Sequence, residues 1–472
     1  MFTKTKIETL QDLIDSTPSL VSHFYNDTLT PHSRQMASLS PARTEFTNWR
    51  DEQHGWRDSA IIFEQSHHMP ELFLKGPDAF RLLNKIGINS FANFAPGRAK
   101  QFVACNPRGQ VIGDCVLHCL APDSFELISG MPVLDWVHFH AESGGYDVTV
   151  ERDNHTSANP TGRRTNFRYG LDGPAAASIF AEVVEGEVPE LPFFGTCYVK
   201  IAGRKVMALR HGMAGHKGVE LSGPYDDGPT VRAAILAAGA KHGLVEGGTR
   251  TYFSTVFESG WMAYPLPAIY TGEDMRPFRE WLSATSWEAS SQLGGSFYSE
   301  NIEDYYTTPW DLGYERILKF DHDFIGRAAL EKMAGEPHRT KVTLVWNKED
   351  VGRVFSSLLQ PGTPFKYIDL PVSSYAFQQC DAVESTDGRR VGLSNLCGYS
   401  GNEAEMLSLA MVEQDFAAPG TQVVLVWGEP DGGSRKPHVE RHLQTRIRAT
   451  VAPAPYSEAV RRMKRAVLGE TV

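Results

Sequence analysis

Cysteine is scarce in this 472-residue sequence: there are six, Cys115 and Cys119 are separated by three residues, and no CxxC pair occurs. That sparsity excludes a disulfide framework and leaves no sulfur set at zinc or iron–sulfur spacing. Long apolar runs are missing as well, none approaching the ~20 residues needed to cross a bilayer. Between Met1 and Leu13 the charges of Lys4, Lys6, Glu8 and Asp12 break up the apolar residues, so the continuous apolar centre of a secretory leader is absent. The expected address is the cytoplasm. Basic charge is not in excess either. Lys and Arg number 46 against 57 Asp and Glu, a net charge of −11, whereas phosphate-backbone binding needs a basic face. Neither a nucleic acid nor a membrane is an expected partner. No GxGxxG follows a strand-like run, which removes a dinucleotide domain.

What is present is the composition of a globular protein, with 41% hydrophobic and 22% charged residues. The length exceeds a typical single core and predicts two or three domains. Ile7, Leu10, Leu13 and Ile14 recur at helical spacing and predict an opening amphipathic helix. Residues 28–46, rich in Pro, Ser and Thr, read as a loop. Glu71–Lys75 and Gln110–Leu120 read as strands and Asp78–Ile86 as a helix, while Trp281–Leu293, free of Gly and Pro, reads as a crossover helix. From Thr340 the runs shorten. Lys341–Trp346, Gln422–Trp427 and Arg446–Val451 are β-rich and separated by Gly/Pro turns. In the last of these Ile447, Ala449 and Val451 alternate with polar residues, the period of a half-buried strand. The C-terminal part is therefore expected to be a β-barrel or sandwich, followed by a basic helix, Glu458–Val472, whose charges predict a solvated face.

Four stretches carry more. Glu52-x-His54-x-Trp56-Arg57 leads to Phe63-Glu64-Gln65-Ser66-His67-His68-Met69. Gly109-Gln110-Val111-Ile112-Gly113-Asp114 follows. Arg210-His211-Gly212-Met213-Ala214-Gly215-His216-Lys217-Gly218-Val219-Glu220 is the third. Thr308-Pro309-x-x-Leu312-Gly313 with Lys319-Phe320-Asp321-His322-Asp323-Phe324-Ile325-Gly326-Arg327 is the fourth. In this order they resemble the glycine-cleavage aminomethyltransferase family. Glu258-Ser259-Gly260-Trp261 and Leu266-Pro267-Ala268-Ile269-Tyr270-Thr271-Gly272 are similar to its aryl ether O-demethylase subgroup in particular. The resemblance implies an α+β, three-lobed cloverleaf with a central folate channel and a C-terminal β-barrel. Residues 1–60 and 160–255 would form the folate-binding lobe, 61–159 and 256–335 a second α+β lobe, and 336–472 the barrel. It also implies tetrahydrofolate as cofactor and a small aromatic ether as substrate, in catabolism of lignin- or lignan-derived aromatics. Oligomeric state is not legible.

The chemistry needs a proton donor, because a phenolate is a poor leaving group. A phenol titrating near ~10 qualifies, and Tyr252 stands where the related demethylases keep their key tyrosine. Glu220 matches the family glutamate that grips the pterin N–H groups, as a carboxylate accepting two donors can. The Gly212/Gly215/Gly218 spacing beside it predicts close backbone approach to a ligand. Trp261 would stack on the flat cofactor or substrate. Asp114 matches an aspartate of the amine-processing relatives, though Gly113 replaces the neighbouring acid. Gln65 and His68 are implied to line the aromatic pocket, with His68 bonding an ether oxygen or sharing proton delivery. His138 and His140 form an HxH that on a strand would suit a metal, but no further ligand accompanies them and no metal is expected.

Two departures bear on substrate. Benzoate-type demethylases hold the carboxylate with an arginine in a Gly-Arg-x-Pro turn, and here the turn reads Ser129-Gly130-Met131-Pro132. A pocket-capping tyrosine of the N-terminal loop is replaced around Met36-Ala37. Unless Arg34, Arg43 or Arg108 substitutes, Met131 as an uncharged wall favours a neutral methylenedioxy lignan such as sesamin over vanillate or syringate. The alternatives are an amine-acting aminomethyltransferase and a non-enzymatic folate-binding protein, although the cysteine of the latter's motif is missing from Gly212–Glu220.

Overall fold

A computed structural model describes residues 7–28, 41–159, 161–213, 218–373 and 375–468. Most of the expected 28–46 loop lies outside them, with Arg34, Met36 and Ala37; so does Gly215. The first helix is Leu10–Ser16, shorter than the apolar spacing implied. Thr9 and Asp12 form a reciprocal cap, Thr9 N–H to Asp12 Oδ2 at 2.9 Å and Asp12 N–H to Thr9 Oγ1 at 3.1 Å, which sets the start after Ile7.

Three sheets organise the chain. A six-stranded sheet runs Leu244–Gly247, Ala60–Glu64, Asn166–Asp172, Val219–Pro224, Arg204–Leu209, Thr196–Ile201, with only the first pair parallel. A five-stranded antiparallel sheet runs Arg98–Cys105, Val111–Ala121, Ser124–Ser129, Glu71–Lys75, Thr149–Asp153. The third closes into a barrel of Thr340–Trp346, Glu405–Val412, Arg390–Ser400, Asp381–Glu384, Gln422–Trp427 and Thr445–Pro453. Closure removes both sheet edges and decides barrel over sandwich. Ile447, Ala449 and Val451 point into its core while Arg446 and Arg448 are exposed.

One helical expectation fails, and the HxH pair sits on a different kind of element from the strand considered for it. Trp281–Leu293 is not a helix: Arg276–Trp281 ends at an extended Leu282. Beyond it Ser283 Oγ accepts from Thr285 N–H and Ser286 Oγ from Ala289 N–H, both at 3.2 Å. Serine hydroxyls that bind nearby backbone compete with helix. His138 and His140 lie not on a strand but on the helix Met131–Ser143, where residues two apart face different sides; His138 pairs with Glu142 at 3.2 Å and His140 packs edge-on to Trp136. Among the described residues no cluster of three or more His, Cys, Asp or Glu could hold a metal, and no helix is long and apolar enough to cross a membrane.

The helix Thr249–Ser259 is anchored at both ends by residues of the first resembling stretch. Glu52, fully buried on the helix Trp49–Asp58, accepts from Gly248 N–H at 2.9 Å and Thr251 Oγ1 at 2.6 Å. At the other end Glu258 accepts from Trp56 Nε1 (3.0 Å), Arg57 Nη2 (3.3 Å) and, on the barrel side, Ser400 Oγ (2.7 Å) and Asn402 Nδ2 (3.1 Å). Gly260 then stops the helix in the left-handed region at φ 69°, where a Cβ would stand 2.8 Å from Pro455 Cα.

The two α+β sheets meet across buried charge. Arg168 Nη2 donates to Glu71 Oε1 and Glu126 Oε1, both at 3.1 Å, and all three side chains are buried. Burial, then the neighbouring Glu71, pushes the Glu126 carboxyl above its ordinary value of 4.5 against the pull of Arg168. The folded chain thus binds a proton that the unfolded chain releases, and stability present below the ordinary carboxylate range is lost as pH rises towards the raised value. Urea midpoints measured from about pH 5 to about pH 9 should fall for the native chain relative to Glu126→Gln. Parallel pH profiles would remove this account of the network.

Candidate functional site

A cavity of about 560 Å³ opens where the two α+β sheets, the helix Thr249–Ser259, the barrel and the C-terminal helix converge. His68, Asp114, Met131, Glu220, Tyr252 and Trp261 all line it. Gln65 stands directly behind Tyr252.

Glu220 is carried by a central strand of the six-stranded sheet, opposite Gly170 and Leu209. Its Oε1 accepts from His211 Nδ1 at 2.8 Å, and its Oε2 lies 4.0 Å from Arg168 Nη1. Burial works against this carboxylate, but His211, by charge and hydrogen bond, and then Arg168 bring it down to about 2. It is therefore an anion at any working pH, with lone pairs left for a second set of donors. That donor set fits the N–H edge of a pterin. The nearby glycines have a packing reason of their own. A Cβ on Gly212 or Gly218 would meet Asp172 Oδ1 at 2.5 or 2.2 Å, so the packing of Asp172 also asks for glycine at these two positions.

Tyr252 lies on the first turn of its helix, its ring edge-on to His68 (4.9 Å between centroids), Phe253 (5.0 Å) and Phe63 (5.2 Å). Gln65 Nε2 donates to its hydroxyl oxygen at 3.2 Å, which leaves the phenol's own hydrogen free for another acceptor. Gly170 makes the room, since a Cβ there would sit 3.1 Å from Gln65 Nε2. Burial and the charge of Glu220 push the Tyr252 phenol above its usual range, so it is protonated at neutral pH. Burial, Arg164 and His67 lower His68 to about 3. His68 is thus a neutral imidazole, able to donate one N–H or accept at the other nitrogen.

Asp114 accepts from Gln101 Nε2 at 2.9 Å and from Trp261 Nε1 at 3.3 Å; Gln101 also reaches Tyr314 Oη at 3.1 Å. Burial raises this carboxyl against those donors. Trp261 is thereby fixed by its indole N–H, with its ring at the cavity wall.

Met131 opens the helix Met131–Ser143. Its sulfur lies 3.5 Å from Arg152 Nη2, and Arg152 Nη1 is paired with Asp135 at 2.8 Å. An arginine thus does stand beside the turn that lacks one, brought by a different strand. Phe193 and Phe194 close another side, Phe194 stacked on His211 at 5.4 Å. Phe194 and Tyr264 both line the cavity with a backbone φ of 57°. Sequence reasoning gave no role to His211, Arg168, Gln101 or Tyr314. His211 lies inside the third resembling stretch and Tyr314 directly follows the Leu312-Gly313 of the fourth, so position was the available signal. The C-terminal helix, expected to be merely solvated, buries Val460 and lends Met463 and Lys464 to the cavity wall.

The sequence family described as GCVT N-terminal domain matches residues 21–268. The chain is 46% identical over 454 residues, 96% of this chain and 97% of the other, to the syringate O-demethylase of Sphingobium sp. (strain NBRC 103272 / SYK-6). It is 30% identical over 396 residues, covering 81% of this chain and 82% of the other, to the sesamin methylene transferase of Sinomonas sp. (strain No.22). To an aminomethyltransferase of Thermotoga sp. (strain RQ2) it is 23% identical over 337 residues, 69% of this chain and 80% of the other. In fold it resembles the crystal structure of glycine cleavage system aminomethyltransferase T from Bartonella henselae, with a TM-score of 0.58, 18% identity, and 87% and 90% of the two chains covered.

Proposed function

The chain belongs to the GCVT aminomethyltransferase family, O-demethylase subgroup, and from that premise we propose that it moves an ether-bound carbon of an aromatic compound to tetrahydrofolate, releasing a phenol. The observation that carries this reading is the meeting, on one cavity, of a permanently ionised Glu220 and a protonated Tyr252.

Tetrahydrofolate supplies a nucleophilic amine, N5, as acceptor of the carbon. Glu220 accepts the pterin's N–H donors and so orients that amine. Trp261, held by Asp114, gives a flat apolar face for stacking. Tyr252, its oxygen already occupied by Gln65, offers its proton to the ether oxygen as the carbon–oxygen bond breaks, and would be reprotonated by the proton that bound tetrahydrofolate releases. His68 bonds the substrate oxygen as a neutral imidazole. The folate role falls on the lobe built on the six-stranded sheet that carries Glu220, and the reaction runs in the cytoplasm. Asp114 acts as a holder of Trp261, which argues against an amine-acting transferase.

The substrate is a methoxybenzoate of the syringate class. The higher identity, over nearly the whole chain, is to a syringate O-demethylase, and Arg152 stands at Met131. A second reading, a methylenedioxy lignan, is favoured by the uncharged Met131 itself and by the likeness to a sesamin methylene transferase. Incubation with tetrahydrofolate and syringate, vanillate or sesamin decides between them: 5-methyltetrahydrofolate from the methoxybenzoates supports the first, and 5,10-methylenetetrahydrofolate from sesamin the second. Neither product from any of the three would sink both.

A further inference from the structure

Two lysines reach the cavity from parts of the chain that carry no assigned role in the site. Lys341 is on the first barrel strand, Thr340–Trp346, and Lys464 on the helix Glu458–Leu468. Lys341 Nζ donates to Leu312 O at 2.6 Å and lies 5.9 Å from the Tyr314 ring centroid. Tyr314 in turn shares Gln101 with Asp114, which puts the lysines at the Asp114–Trp261 end. Gly313 clears the approach of Lys341: a Cβ there would stand 3.1 Å from Lys341 Cε and 3.3 Å from its Nζ.

Among the described residues neither ammonium is ion-paired, although most other lysines and arginines near the core are. Burial and then Lys464 hold Lys341 down at about 7, against the pull of Glu315 and Asp114. Lys341, half-buried, and Lys464, exposed at the rim, face one cavity wall with no carboxylate among the described residues paired to either, and an anion between them relieves their mutual repulsion. The Glu220 end already carries His211 and Arg168 for its own anion. The two ends of the cavity thus have opposite demands, one for N–H donors and one for an acceptor.

We propose that Lys341 and Lys464 form a carboxylate-binding subsite at the Asp114–Trp261 end of the cavity. The inference rests on the folate-transferase reading. Its two sources of carboxylate are the glutamate tail of tetrahydrofolate and the ring carboxylate of an aromatic acid.

The test is calorimetric binding to the full chain of two matched pairs: tetrahydrofolate against its dimethyl ester, in which both glutamate carboxylates are neutral, and syringate against its neutral methyl ester. Lys341→Met and Lys464→Met should each weaken one carboxylate-bearing ligand by roughly tenfold to a hundredfold, the size of a lost charge-assisted contact. The carboxylate-free counterpart should bind unchanged, and Lys341→Arg should restore most of the loss. A loss confined to tetrahydrofolate identifies the tail; one confined to syringate identifies the aromatic acid. Lys464 is exposed on its helix, so its variant remains informative if the barrel-strand substitution disturbs folding. Variants that weaken neither acid, or weaken acid and counterpart alike, overturn the subsite. A native chain that binds neither pterin overturns the folate reading itself, a result distinct from one that binds both pterins, and both aromatics, equally well.

Discussion

Tyr252→Phe should lower turnover by about 10²–10⁴-fold, the usual contribution of a positioned general acid, and leave tetrahydrofolate affinity unchanged. The phenol lines the cavity beside His68, is protonated at neutral pH, and keeps its hydrogen free because Gln65 Nε2 occupies its oxygen. His68 cannot take over as a charged acid with its ionisation at about 3. The leaving phenolate and the tyrosine have similar intrinsic proton affinities, so transfer is close to balanced only once the carbon–oxygen bond has largely broken. Loss of the hydroxyl removes one hydrogen bond and no ring contact; the edge-on packing against Phe63, Phe253 and His68 survives. The variant should therefore unfold at the native temperature. Single-turnover rates and a thermal melt check both halves, and near-native turnover would remove Tyr252 from the chemistry.

Glu220→Ala should weaken tetrahydrofolate binding by roughly 10²-fold or more, the sum of two charge-assisted hydrogen bonds at about 1.5–3 kcal/mol each less the water that replaces them. The carboxylate is ionised far below neutrality, so no pH optimum in the neutral range belongs to it. Its removal strands His211 and sharpens the field of Arg168, and some stability is lost too. Glu220→Gln separates the effects, since it keeps the volume and one acceptor oxygen. Calorimetric affinity for tetrahydrofolate should follow the order native, Gln, Ala, whereas the melting temperature of the Gln variant stays close to native. An alanine variant with native affinity would show that the pterin is held elsewhere.

Strands were legible because side-chain patterning is a local signal: Gln422–Trp427 of the barrel and Glu71–Lys75 of the five-stranded sheet begin and end where the sequence places them. Ser283 and Ser286 defeated the helix reading of Trp281–Leu293, since competition by hydroxyls depends on backbone geometry that composition does not carry. The cavity's principal side chains lie in or beside stretches that resemble a family, and could be named from that likeness. Their supports could not. Arg168 meets Glu71 and Glu126 across 97 and 42 residues of sequence, and Arg152 meets Met131 only because two strands and a helix bring them together. Lys464 was hidden for a related reason. A helix with several basic residues reads as solvated, but Val460, one turn earlier, is buried and turns that side inward.

Phe194 and Tyr264 hold their rings at the cavity wall from a backbone conformation that residues other than glycine rarely adopt. A chain selected only for heat resistance would find relief at these two positions, with glycine or asparagine as the ready replacements. The same relief would erase the wall that the rings form. Thermal robustness and ligand shape thus pull in opposite directions at two addresses in the sequence, and any stabilised derivative of this protein should be screened at those positions for the aromatic residue before it is screened for anything else.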